Sequence, residues 1–558
     1  MTPADQPQAP TPAGAPAIGL VAPRAGKSTG RRGNRTSRRT AAAPVYREIA
    51  EGSLGSAPGG ADPATAPIHL PAFDPPAFPS RVFDISHHGA RGDGAHDCTE
   101  AINRAIEACA DAGGGRVLIP AGRWLSAAIH LRSGVDLHLA DGATLSFIPD
   151  PGRYLPPVFV RWNGQECYNY SPLIYAHRCV NIAITGRGTI LGRGESWWHW
   201  RKREQQSCEA LYRMVLRDVP VRDRVLVGPR TNGRGVPSTP LRPQLIAAIE
   251  CDNVLLKNLS IGEGGPFWSV HVAYCRNVTI RGLRVNAPEG PNTNGVVIDS
   301  SANVLVEDCD IRSNDDCLCL KSGLNEDGWR VGRPTENVLV RRVRCTGGHG
   351  GITIGSEMSG GVRNVLVHDC HYDGLTNGIR LKAARGRGGV VENVWVQNIA
   401  MGRIDGDAIQ MTTEYSTFTS PEGRPPTYRN IRIRGVTCEH ARTAARLVGQ
   451  ADCAIQDVTL EHLNIVAEEG LLCSAGSGIR LLDVRITPRF GPVLSVRDGQ
   501  DVTIRGWHTI PTASVFLDVR GRRTRNIRIC GEPNGSAGAT RPAVVLGLDV
   551  PRDVVVHE

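Results

Sequence analysis

Long apolar runs are missing from this chain of 558 residues, and none approaches the roughly 18 consecutive apolar positions that a membrane-spanning helix needs. No membrane partner is therefore expected. Aromatic residues are few, with 9 Phe, 9 Trp and 10 Tyr against 64 Gly, a balance that favours many tight turns over large aromatic cores. The sixteen cysteines lack any Cys-x-x-Cys or Cys/His spacing that would close a metal site, so they are read as buried small hydrophobes, and no metal or cofactor is expected. A strongly basic body is also lacking. The formal charge of +9 falls mainly in residues 1–40, where seven bases (Arg24, Lys27, Arg31, Arg32, Arg35, Arg38, Arg39) face one acid, Asp5. The other 518 residues hold 57 bases and 54 acids, which excludes a nucleic-acid-binding surface on charge.

With 41% hydrophobic and 21% charged residues, the chain has enough apolar content for a large core. Its first 80 residues differ. They hold 14 of the 38 prolines among Ala, Gly, Ser and Arg, and are expected to form a disordered tail. Arg38-Arg39 resembles the start of an export signal, but Val45-Tyr46-Arg47-Glu48 stands where the continuous apolar stretch would lie. No signal peptide is legible, which leaves the compartment open: periplasmic or secreted by another route of export, cytoplasmic otherwise.

What is present is a repeat. Asn followed by alternating Val, Ile or Leu recurs at Asn181, Asn253, Asn277, Asn303, Asn337, Asn364, Asn393, Asn430 and Asn526, with Asp457 and Asp501 taking the Asn position in two copies. From Asn253 to Asn430 the steps are 24, 26, 34, 27, 29 and 37 residues. Alternation is the period of a strand, and one short copy cannot bury its own apolar face, whereas stacked copies make a continuous interior. The expected fold is all-β: a single right-handed parallel β-helix over residues 81–548, with residues 549–558 as its C-terminal end. Repeated Asn beside a turn can hydrogen-bond from coil to coil. A solenoid also needs its open end covered. Thr99 can cap a helix whose apolar face is Ala101, Ile102, Ala105, Ile106 and Cys109, lying between a strand at Val82-Phe83-Asp84-Ile85 and a first coil strand at Val117-Leu118-Ile119.

Between Pro291 and Lys382 the repeat is broken by polar groups that a structural coil does not need: Asn292-Thr293-Asn294, Asn314-Asp315-Asp316, Gly348-His349-Gly350 and Arg380-Leu381-Lys382. The intervals from Asn294 to Asp315, from Asp316 to His349 and from His349 to Arg380 are 21, 33 and 31 residues, about one coil each. These motifs are therefore expected to stack at the roughly 4.8 Å strand spacing. Arg380 and Lys382, two apart on a strand, share a face. Two neighbouring carboxylates do not ionise independently, so one apparent pKa of the Asp315–Asp316 pair is expected to rise while the other group stays a base. An acid beside a base is what glycosidic hydrolysis uses.

These four motifs, in this order, resemble the polygalacturonases of glycoside hydrolase family 28, across roughly residues 80–545. The strings Ile354–Gly361 and Arg385–Gly389 look like its bacterial exo-acting branch. The resemblance implies metal-free, inverting hydrolysis of α-1,4-galacturonosidic bonds in pectin or polygalacturonate, with an acidic polysaccharide or oligogalacturonide as partner; a monomer is expected. It implies Asp315 as general acid, Asp316 as the carboxylate that activates water, and His349 as support for the ionisation of the acid. It further implies Arg380, Lys382 and Tyr415 as binders of substrate. One position departs from the family: its third carboxylate is here Asn294, an amide that cannot take a proton. Either Asp316 is the sole strong base among the matched positions or Asp299 assists.

Aromatic clusters at Trp162, Tyr168 and Tyr170, and Trp197-Trp198-His199-Trp200, suit sugar contact and loop packing equally. The segment 201–243 is long enough to wall off one end of a groove, which would favour exo cleavage. Alternatives are a noncatalytic pectin-binding β-helix, suggested by Asn294, a calcium-dependent pectate lyase and a rhamnogalacturonan hydrolase.

Overall fold

The repeated Asn stands where the backbone turns into the left-handed region. Asn181, Asn253, Asn277, Asn303, Asn337, Asn364, Asn393 and Asn430 all have φ between 51° and 58°, a conformation Asn tolerates better than other residues with a Cβ. Their side chains form the expected ladder: Nδ2 of Asn303, Asn337, Asn364, Asn393 and Asn430 each donates to the Oδ1 of the Asn one coil below, at 2.7–3.1 Å. The ladder shifts once, where Asn277 donates to Asp252 at 2.9 Å.

The computed structural model describes residues 68, 70–227, 241–415, 420, 422–508, 513–531 and 543–558. Most of the stretch read as a tail lies outside these residues, as do positions 228–240 of the segment 201–243. From the ladder onward the chain is a right-handed parallel β-helix. In one column of strands Val254, Val278, Val304, Val338, Val365, Val394, Ile431 and Val458 lie side by side in register. All eight are buried, and each such side chain contributes roughly 1.5–3 kcal/mol relative to full exposure. The last strand, Val555–His557, pairs in parallel with Arg525–Cys530. Fifteen of the sixteen cysteines are buried, most within this interior, and none is bonded to another.

A helix at Thr99–Asp111 presents Ala101, Ile102, Ala105, Ile106 and Cys109 to the core at the N-terminal end. Its capping carboxylate is Asp97, which accepts from the Thr99 backbone N–H at 3.0 Å and from the Thr99 hydroxyl at 2.5 Å, so Thr99 is the first helical residue rather than the cap.

A second column of strands carries the groove: Val270–Ala273, Val296–Asp299, Leu318–Lys321, Gly350–Gly355, Asn377–Lys382 and part of Val390–Thr412, paired in that order. Alternation puts Val296 and Ile298 inside the coil and Val297 on its outer face. On the lower coils that outer face is roofed. The antiparallel hairpin Val158–Trp162/Gln165–Asn169 turns at Asn163-Gly164, both with positive φ, and packs with the helix Arg201–Leu216 onto Ala273, Val297 and Cys319. Trp162 stacks on Phe267 within this roof, and Trp197 packs against Tyr154 and Trp200. These aromatics serve packing.

Candidate active site

The groove begins where the roof ends. Strand register puts Leu318 beside Ile352 and Ile352 beside Ile379, so the residues just before Leu318 face those around Gly350 and Arg380 on the next two coils. Asp316 uses this stacking to reach across a whole coil. Its Oδ2 accepts from Lys382 Nζ at 2.8 Å and its Oδ1 lies 3.5 Å from Arg380 Nη1. The intervening coil allows this because it carries little bulk there. A Cβ on Gly350 would stand 3.0 Å from Asp316 Oδ1 and 2.3 Å from Thr353 Oγ1. Asp316 is left 1% exposed, nearly sealed by its two cations. Burial alone would lower the Lys382 pKa; Asp316 foremost, with Tyr415 and Asp315, overcomes this and holds it above the ordinary value.

Asp315 points elsewhere. Its Oδ1 accepts the backbone N–H of Asp316 at 2.9 Å and pairs with His349 Nδ1 at 3.1 Å, and its Oδ2 accepts from Asn292 Nδ2 at 3.2 Å. Burial pushes the Asp315 pKa up, but the His349 hydrogen bond and the Lys382 charge outweigh it and hold the carboxyl well below the usual range. The Asp315 hydrogen bond in turn raises the His349 pKa. Asp315 is therefore not the member of the Asp-Asp pair whose pKa rises, because its own donors and the nearby Lys382 charge favour its carboxylate. His349 remains half exposed at the mouth of the groove.

Arg380 also donates from Nε to Gln410 Oε1 at 3.0 Å, and Tyr415 lies with its ring centroid 5.5 Å from the Arg380 guanidinium and 5.2 Å from Lys382 Nζ. Asp315, Asp316, His349, Arg380, Lys382 and Tyr415 thus form one contiguous cluster. Asn294, on the coil below Asp316, is 3% exposed, and its side-chain amide is not engaged by any described residue.

Asp299 is not part of that cluster. It is fully buried beneath the hairpin, 3.2 Å from Arg161 Nη1 and 3.6 Å from His271 Nε2. Burial works to raise its pKa, and Arg161, His271 and Lys321 together offset this, so the net shift is downward. With no solvent access and its charge neutralised by the roof, Asp299 is placed to hold the hairpin rather than to meet water. Beside it Lys321 is ion-paired with Glu357 and sits 5.3 Å from the Trp268 ring centroid.

Sequence reading missed the partners that reach the cluster from elsewhere, namely Gln410 beside Arg380 and Asn292 as a donor to Asp315. It also missed the hairpin, although Asn163-Gly164 between alternating apolar residues is a recognisable two-residue turn.

A parallel β-helix bearing adjacent carboxylates with a histidine and a cationic pair on the next coils is the architecture of a glycoside hydrolase. The profile of the glycosyl hydrolases family 28 matches residues 231–476. A Vitis vinifera protein named "Probable polygalacturonase" is 31% identical over 390 residues, covering 68% of this chain and 72% of its own. The structure of a hyperthermoactive exopolygalacturonase from Thermotoga maritima is 34% identical with a TM-score of 0.69, covering 74% of this chain and 93% of its own. The polygalacturonase structure from Erwinia carotovora, 24% identical with a TM-score of 0.57, shares the fold over 73% of this chain and 98% of its own. The chain belongs to glycosyl hydrolase family 28, the family of the polygalacturonases.

Proposed function

We propose that this hydrolase removes galacturonate units from one end of polygalacturonate by inverting acid/base cleavage of the α-1,4 bond. Asp315 delivers the proton that it shares with His349 to the departing oxygen, and Asp316 takes a proton from the attacking water. Arg380, Lys382 and Tyr415 hold the uronate at the cleaved bond. A planar guanidinium can take the sugar carboxylate through two hydrogen bonds while the ammonium adds charge, and the tyrosine ring offers a stacking face. A sugar carboxylate on Arg380 and Lys382 also loosens their hold on Asp316, so binding of substrate frees the base. In place of a second carboxylate Asn294 offers water a hydrogen bond only, which leaves Asp316 to carry the basic role.

The observation that carries the exo reading is the roof. The hairpin and the helix Arg201–Leu216 cover the outer strand face up to Cys319, whose Sγ lies 3.9 Å from Asp316 Oδ2, so a polymer cannot extend from the site over the coils below. The exopolygalacturonase relative named above supports the same reading. Digestion of defined oligogalacturonides tests it. The expected early product is the single terminal unit, and early accumulation of mixed lengths would count against it. Absence of any reducing-end release would favour the noncatalytic binding reading that Asn294 raises. Activity in the presence of a chelator is expected to persist, and its loss would favour the lyase.

A further inference from the structure

Asn292 belongs to the first of the four polar motifs, yet the reading above gives it no task. Its surroundings do. Its amide oxygen accepts from Arg242 Nη2 at 3.1 Å, while its amide nitrogen donates to Asp315 Oδ2 at 3.2 Å. Arg242 is fully buried and immobilised on every side. It pairs with Glu204 of the helix Arg201–Leu216 at 2.8 Å, donates to the carbonyls of Pro266 and Pro291 at 2.9 and 2.6 Å, and lies over the Phe267 ring. A guanidinium has only donors. The oxygen of Asn292 must therefore face Arg242, and only N–H remains to face Asp315.

We propose that Asn292 is a positioning residue that decides where the proton of the Asp315–His349 pair resides, and that Arg242, held by the inserted helix, fixes its orientation. The inference rests on the reading of Asp315 as proton donor. Because Asn292 can only donate, it occupies the Asp315 Oδ2 lone pair on its side and disfavours a proton there. The pair's proton is thereby kept on the His349 side until a leaving oxygen competes for it. The charged groups around Asp315 are His349, Asp316, Lys382 and Lys321, with Arg380 close to His349; none of them contacts Asn292.

Replacing Asn292 by Ala deletes the donor without touching these charges. With the donor gone a proton on Asp315 no longer costs that hydrogen bond, so the form of the pair protonated on Asp315 becomes accessible and the pair keeps its proton to higher pH. The high-pH limb of kcat/KM is then expected to move upward by about one pH unit, the size set by one hydrogen bond to a carboxylate. Asn292→Asp keeps the shape and adds a negative charge, and the limb is expected to move further in the same direction. A limb that stays in place or moves downward in a variant with wild-type circular dichroism and Tm overturns the proposal. If Asn292→Ala does not fold, the isosteric Asn292→Asp carries the same decision. Asp315→Asn separates the two levels. Retained hydrolysis there removes the proton-donor reading itself, whereas lost hydrolysis there with an unmoved limb in Asn292→Ala removes only the role given to Asn292.

Discussion

Asp316 Oδ2 and Lys382 Nζ are 2.8 Å apart although 66 residues of chain and one intervening coil separate them. The contact exists because Gly350 and Gly355 leave the coil between them without side-chain bulk at those positions. It joins the base of the proposed mechanism to the group proposed to hold the substrate.

That contact makes Asp316 the most sensitive position. Asp316→Asn is expected to abolish turnover, by 10³-fold or about 4 kcal/mol of transition-state stabilisation, since no other matched carboxylate takes the proton of water. Asp315→Asn is expected to lose hydrolysis while retaining substrate affinity. Initial rates together with equilibrium binding of oligogalacturonide check both, and survival of activity in the first variant would reassign the base.

Gly350→Ala is expected to fold yet lose most activity. The added Cβ would stand 2.3 Å from Thr353 Oγ1 and 3.0 Å from Asp316 Oδ1, forcing the carboxylate away from Arg380 and Lys382. Unchanged Tm with a sharply lower kcat is the expected pattern. An equal loss of both would mean that the glycine serves packing alone.

For Asp299→Asn the expected pattern is the reverse. Removing one partner of a buried ion pair leaves Arg161 uncompensated, which costs about 3–5 kcal/mol, so denaturant midpoints should fall markedly. Turnover of the folded fraction should fall far less than in Asp316→Asn. Loss of activity at full stability would instead return Asp299 to the catalytic group.

Acid should weaken the fold partly through Glu357. Burial raises its pKa, but Lys321, Arg387 and Lys382 together, Lys321 foremost, bring it from 4.5 down to about 2. A carboxylate with a lowered folded pKa contributes stability that is fully present above pH 4.5 and is lost as the pH falls toward about 2. Glu357→Gln lacks this term. The stability gap between wild type and variant, measured by denaturant unfolding, should narrow across that window, and a constant gap would contradict the assignment.

Much of this was readable from residue order. The Asn–Val periodicity specified the coil, because alternation and turn residues are local properties of the chain, and the spacing of the four motifs placed Asp315, Asp316, His349, Arg380 and Lys382 on neighbouring coils. The capping helix was legible from its apolar face, though not the Asp97 that caps it. Asp299 was harder. In sequence it stands five residues after Asn294 and looks available, and only the hairpin, arriving from more than 130 residues earlier, seals it against Arg161.

The sequence by itself determined the solenoid and the set of chemical groups that line one of its faces, since stacking in register converts regular spacing into adjacency. Only the tertiary structure decided which of those groups meet solvent and in what state of charge. That depends on distant segments, the roofing hairpin and the Glu204–Arg242 clamp, which supply donors, counter-ions and burial without following the period of the repeat.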